Sequence, residues 1–255
     1  MLKGASLFTV WSGHPHRATK DIDLLGRGTP DLERLERVFQ DVCSTPAEDD
    51  GLFFEPSTIA TERIKEGANY EGVRVTLRAT LGTARLLMQI DVGFGDAVTP
   101  AAAPADFPTL LGHPAPRLEV YPRETVVAEK FQAMVDLGLF NSRMKDFYDL
   151  WFLAREFEFE GPVLAQALAA TFACRKTPLP SEPPRAMTPA FAADAQKQAQ
   201  WRAFLTRSRV AETTLTLATV VEQIWAFLKA PLRAACEGTP FAATWSGGAW
   251  QGPEK

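Results

Sequence analysis

The sequence predicts an α+β fold: a mixed sheet with flanking helices over residues 1–120, then an all-helical half over residues 121–255. Three observations carry this expectation. Period-two alternation of apolar and polar residues is confined to the first half, as in strands with one buried face. Apolar residues at helical spacing dominate after Tyr121. Between them, "AVTPAAAPADFPTLLGHPAP" is rich in proline and lacks periodicity, which marks a connector.

The elements follow in order. "MLKG" reads as a short strand, "ASLFTVW" as a short helix and "SGHPHRATK" as a loop. "DIDLL" is the next strand. In "PDLERLERVFQDVC", Leu32, Leu35, Val38, Phe39 and Val42 have the spacing of an amphipathic helix that starts at Pro30. "GVRVTLRATL" and "LLMQIDVGF" alternate cleanly: Val73, Val75, Leu77, Ala79 and Leu81 on one strand, Met88, Ile90, Val92 and Phe94 on the next, all expected on the core face. Helices are predicted for "RETVVAEKFQAMVDLGLF", "SRMKDFYDLWFLAREF" and "GPVLAQALAATFACR", and then for residues 190–206 and 212–228. The tail "GTPFAATWSGGAWQGPEK" is expected to be loosely ordered.

Composition narrows the class. The chain has 255 residues, of which 46% are hydrophobic and 23% charged, so it can bury a substantial core. A net charge of −4 supplies no global attraction to nucleic acid or membrane, so an RNA partner would need a local basic patch. Three widely spaced cysteines, an odd number, argue for a reducing cytoplasm over a disulfide framework. No apolar run is long enough for a membrane span, and a cytoplasmic protein is expected.

The chemistry is expected at "RATKDIDLL". Ile22 and Leu24 belong to the core face of a strand, which puts Asp21 and Asp23 together on the other face. Two like charges about 4 Å apart cost roughly 4 kcal/mol at an effective dielectric near 20, so a positive group is expected between them unless the strand end is simply wet. Asp91, on the polar face of "LLMQIDVGF", makes a third carboxylate. Hard oxygen donors of this kind suit Mg²⁺, and such ions can clamp a phosphoryl displacement. Upstream, the small-residue turn Gly4-Ala5-Ser6 between strand and helix can offer backbone N–H groups to a phosphate.

Together, "LKGASLF", "HRATKDIDLL", "QIDVGFGD", "YPRETVVAEKFQAMVDLG", "SRMKDFYDLWFL" and "ATFACRKTPLP" resemble the AbiEii/AbiGii nucleotidyltransferase toxin family, within the DNA polymerase β-like nucleotidyltransferase superfamily. The resemblance covers most of the chain. It implies a nucleotidyltransferase-type sheet in residues 1–120 and a helical domain in residues 121–255 that completes the active-site cleft. It also implies transfer of an NMP from an NTP to an RNA hydroxyl, with the tRNA 3′ end favoured, by a toxin of a toxin–antitoxin or phage-defence system. Asp21, Asp23 and Asp91 match the metal-binding carboxylates. Gly4, Ala5 and Ser6 match the phosphate-contacting turn, Lys130 the lysine of "AEK", and Asp146 the aspartate of "KDFYDL". Arg17, just upstream of Asp21, is expected at the nucleotide. The implied cofactor is Mg²⁺, and the implied partners are an NTP, tRNA and a cognate antitoxin.

Two features depart from the family pattern. Ala5 stands where a second glycine or a serine is usual, and the first strand begins at Met1 where similar proteins carry a preceding helix, as a shortened variant or a misassigned start codon would produce. The rival readings are a nucleotidyltransferase for a small molecule or a protein, and a degenerate binding domain. For RNA, the expected basic set is Arg63, Lys65, Arg74, Arg78 and Arg85, on or between the sheet strands.

Overall fold

The computed structural model describes residues 1–47, 50–65, 71–109, 111–210 and 212–252. The chain divides into two units, Met1–Asp96 with Pro104–Val120, and Ala97–Ala103 with Tyr121–Lys255.

The first unit is built on β1 (Leu2–Lys3), α1 (Ser6–Ser12), β2 (Ile22–Gly26), α2 (Leu32–Ser44), β3 (Leu52–Lys65), β4 (Glu71–Leu81), β5 (Ala84–Phe94), β6 (Ala103–Asp106) and β7 (Arg117–Val120). The seven strands form one mixed sheet in the order β3-β4-β5-β2-β1-β7-β6. β2 runs parallel to β5, and β1 antiparallel to β2. The expected alternation of β4 and β5 is present: Val73, Val75, Leu77, Ile90 and Val92 are buried on one face with Ile22 and Leu24. α2 covers that face. Its Asp31 side chain accepts a hydrogen bond from the Arg34 N–H and so caps the helix. The sheet-facing stripe of α2 is Leu32, Leu35, Phe39 and Cys43, each partly buried against that core, whereas Val38 and Val42 are exposed. On the helical wheel Val38 lies about 100° and Val42 about 65° from the centre of that stripe, toward its solvent side.

β3 is a strand the sequence reading does not anticipate. Its alternation is interrupted by a register shift between Glu55 and Ala60, a stretch that contains Pro56, so no single period runs through it. β6 likewise lies within the stretch expected to be a connector.

The second unit contains α3 (Arg123–Leu137), α4 (Met144–Glu156), β8 (Phe159–Glu160), α5 (Gly161–Cys174), α6 (Pro189–Ala193), α7 (Ala195–Ser208), α8 (Leu217–Glu237), β9 (Thr244–Ser246) and β10 (Ala249–Gln251). The run expected as one helix at 190–206 breaks at Asp194, whose side chain caps α7 through the Lys197 N–H. The last helix extends past the expected 228 and carries Pro231 in its interior. The expectation of a loose tail is corrected. β9 and β10 form a hairpin that pairs with β8, anchored by Trp245, which is buried and donates its indole N–H to the Ala154 carbonyl.

Candidate active site

Strand register builds a charged row across the face of the sheet opposite α2. Lys3 on β1 pairs with Asp23 on β2, Asp23 with Asp91 on β5, Asp91 with Arg74 on β4, and Arg74 with Glu62 on β3. Side chains at directly opposed positions share a face. Five charged residues from five successive strands therefore stand side by side. Asp21 lies two residues before Asp23, at the mouth of β2.

Each member has a defined partner. Arg74 holds Asp91 through two parallel hydrogen bonds, Nε to Oδ1 at 2.8 Å and Nη2 to Oδ2 at 2.9 Å. A fork of this kind is the strong form of ion pair. Hydrogen bonding to Asp91 raises the Arg74 pKa; burial opposes this, while the negative charges of Asp91, Glu62 and Asp21 add to it. Arg74 thus sets a positive charge against the third carboxylate, Asp91. Of the basic set expected for RNA, Arg74 is the member bonded to Asp91.

Lys3 donates to Asp96 at 2.7 Å in a buried pair. Neither residue stood out in the sequence. The usable signal was a lysine directly before Gly4 and an aspartate directly after "GFG", both charged residues at the ends of apolar strands.

Gly4 has a positive φ of 74°, and a Cβ there would land on the Asp23 carboxylate. Asp23 therefore packs against the turn that opens α1, and only glycine allows it. Ala5 and Ser6 follow directly as the cap and first residue of that helix. Arg17 lies in the loop that leads into β2, with one guanidinium bond to the Ala18 carbonyl at 3.3 Å. His16, one residue earlier, stacks on Phe8 with ring centroids 3.6 Å apart.

The donor set fits a divalent cation in kind. Asp23 and Asp91 supply hard oxygens on one face, and Asp21 just before β2 lies near enough for its charge to act on Arg74. A guanidinium already stands in as the cation on Asp91. Among the described residues no three acidic, histidine or cysteine side chains converge as a ready-made metal cluster, and Asp91 faces Arg74.

Lys130, Asp146 and Asp149 form a second constellation, within the helical unit. Lys130 Nζ lies 2.8 Å from Asp146 Oδ1 and 2.8 Å from Asp149 Oδ2. Arg143 reaches Asp146 Oδ2 at 2.9 Å. Both aspartates are buried, at 2% and 0% side-chain exposure. Two cations and two carboxylates make the group neutral, which is what allows it to be buried. Burial pushes the Asp146 carboxyl up, but Lys130 and Arg143 outweigh it and hold the carboxyl below its ordinary range. Lys145 stands four residues before Asp149 on α4, but Asp149 points inward to Lys130.

Comparison with known proteins decides the family. The sequence pattern of the nucleotidyl transferase AbiEii toxin family, a type IV toxin–antitoxin system, matches residues 1–230. The chain belongs to that family. It is an AbiEii-type nucleotidyltransferase. No curated protein matches it. Among solved structures, this AbiEii protein is similar to JHP933 from Helicobacter pylori, at 14% identity and a TM-score of 0.49 over 93% of this chain and 84% of that one. It is also similar to a candidate nucleotidyltransferase from H. pylori, at 15% identity and a TM-score of 0.48 over 93% of this chain and 86% of that one. Among the described residues, no helix of this AbiEii protein is long and apolar enough to cross a membrane.

Proposed function

We propose that this AbiEii protein is a metal-dependent toxin that transfers an NMP from an NTP to an RNA hydroxyl, with the tRNA 3′ end as acceptor, and that a cognate antitoxin restrains it. The observation that carries the reading is the register pairing of Asp23 with Asp91 beside the Gly4 turn. In the reaction the acceptor oxygen bonds to the α-phosphorus, the bond from that phosphorus to the bridging oxygen breaks, and pyrophosphate leaves. Asp21, Asp23 and Asp91 would hold Mg²⁺, which supplies charge stabilisation at the phosphoryl oxygens. Asp91 receives the acceptor proton. The Gly4-Ala5-Ser6 turn and Arg17 contact the phosphates, and Lys130, held by Asp146 and Asp149, is assigned to the triphosphate.

The RNA acceptor is supported by the same sheet face. Two-residue steps along β3, β4 and β5 lead from Asp91 and Arg74 past Gln89 and Thr76 to Arg78 and Leu87, then to Phe53, Thr80 and Arg85. At about 3.4 Å per residue this strip runs roughly 20 Å from the carboxylates. Phe53 is 66% exposed and Leu87 77% exposed. Cations beside exposed apolar and aromatic groups suit a single strand, whose phosphates take the arginines and whose bases stack. Arg63 alternates to the opposite face, and the Lys65 side chain lies outside the described residues.

The test is incubation of the purified protein with Mg²⁺, each labelled NTP in turn, and total cellular RNA. Label should enter RNA with wild type and fail to enter with Asp23→Asn. Label carried by a small molecule or a protein would replace the RNA reading. No transfer under any condition would leave a binding domain.

A further inference from the structure

We infer that Arg74 is a guanidinium lock on Asp91, a positioning residue that holds the third carboxylate and supplies its positive counter-charge until cation and nucleotide arrive. The inference rests on the reading of Asp21, Asp23 and Asp91 as a divalent-cation site.

The geometry is specific to that task. Arg74 is the direct cross-strand neighbour of Asp91 and takes both of its oxygens, at 2.8 and 2.9 Å. Its own orientation is set from two further sides. Glu62 lies 3.9 Å from Nη1, and Gln89, with its amide oxygen turned to the guanidinium, accepts from Nε and Nη2 at 3.1 Å. The Asp91 side chain is only 12% exposed, so its orientation depends on this contact more than on water. The other cation of the row, Lys3, is bonded to Asp96. Lys3 also stands opposite Asp23 across the strands, whereas Arg74 is the cation that takes both oxygens of Asp91.

A carboxylate oxygen bonded to one guanidinium N–H keeps a second lone pair. Asp91 can therefore turn part of its coordination to a cation without losing the arginine's grip. Two consequences follow, with opposite signs. Without Arg74 the face becomes more negative, so a divalent ion by itself binds more tightly. Without the planar fork Asp91 loses its fixed direction, so transfer slows. Lysine restores the charge but not the two parallel bonds, and this separates the two effects.

The experiment compares wild type, Arg74→Gln, Arg74→Lys and Asp91→Asn. It measures Mn²⁺ affinity by the electron paramagnetic resonance of free Mn²⁺, with and without a non-hydrolysable NTP, together with kcat and KM for transfer. We expect Arg74→Gln to bind Mn²⁺ at least threefold more tightly without nucleotide, while kcat falls at least tenfold and KM for the NTP stays within twofold. Arg74→Lys should return Mn²⁺ affinity to the wild-type value and leave kcat low. Unchanged or weaker Mn²⁺ binding by Arg74→Gln, or full rescue of kcat by lysine, overturns the inference. If Arg74→Gln does not fold by circular dichroism, the lysine variant alone decides, through kcat. Asp91→Asn keeps the two levels apart. If it retains both Mn²⁺ binding and transfer, the site reading itself fails. If it loses both while Arg74→Gln matches wild type, only the lock fails.

Discussion

Replacing Lys130 by methionine removes a charge shared by two buried carboxylates. Its stem fits among Val127 and Met134, so the sequence alone suggests a gentle substitution. In the structure Nζ is shared by Asp146 and Asp149, and Arg143 reaches only the former. Asp149 would lose the cation bonded to it at a buried site, so Lys130→Met should cost about 3–5 kcal/mol in urea unfolding. Loss of NTP binding in that variant would therefore report on folding as well as on phosphate. The Asp146 carboxyl adds a pH signature. Held below its ordinary range by Lys130 and Arg143, it binds a proton less readily folded than unfolded. Its stabilising share is thus complete above the unfolded value, near pH 4, and is lost as pH falls through the folded value. Asp146→Asn should flatten the decline in stability below about pH 4, measured by urea unfolding between about pH 2 and 6. A decline identical to wild type would take Asp146 out of the acid response. In the sequence Arg143, Asp146 and Asp149 are spaced three apart, which puts them on one side of a helix but does not show whether that side faces water. A solvated pair contributes a few tenths of a kcal/mol and a buried one an order of magnitude more when broken.

Among the elements, α8 and the terminal hairpin depend on each other. Pro231 has no N–H to give the Phe227 carbonyl four residues earlier, and an interior proline ordinarily ends or kinks a helix. Here Trp250 of β10 donates its indole N–H to that same Phe227 oxygen at 2.9 Å. The hairpin thus supplies the bond that proline removes. Trp250→Phe should leave the carbonyl without its donor and cost about 1–3 kcal/mol. In a Pro231→Ala background, where the chain can bond to itself again, that cost should shrink by more than half. Thermal melts of the four proteins in this double-mutant cycle measure the coupling; equal costs in both backgrounds would show that the two residues act independently. The sequence displayed the proline and the tryptophan. It held no sign that they meet, because 19 positions separate residues 231 and 250 and only the fold closes them.

For the whole molecule, a net charge of −4 leaves RNA only local footholds. With Arg74 committed to Asp91, the arginines left on the carboxylate face are Arg78 and Arg85. The Arg78→Gln, Arg85→Gln double variant should flatten the salt dependence of RNA affinity by about 0.7 per lost contact for single strands, roughly one to two units in all. NTP affinity should stay unchanged. An unaltered slope would make the strip a solvated sheet face.

Local chemistry is what the sequence determined by itself. Period two and period 3.6 separated the sheet half from the helical half, because side-chain direction follows backbone geometry within a few residues. The linked blocks around Gly4, Asp21, Asp23, Asp91, Lys130 and Asp146 pointed to the nucleotidyltransferase family that the match over residues 1–230 establishes. Register and burial were decided only in three dimensions. That Arg74 meets Asp91, that Lys3 meets Asp96, that Asp23 needs the bare backbone of Gly4 and that Asp149 turns inward to Lys130 all join residues distant in the chain or hidden by packing. A charge in a sequence has no dielectric. It acquires one only when the fold settles which other charges, and how little water, surround it.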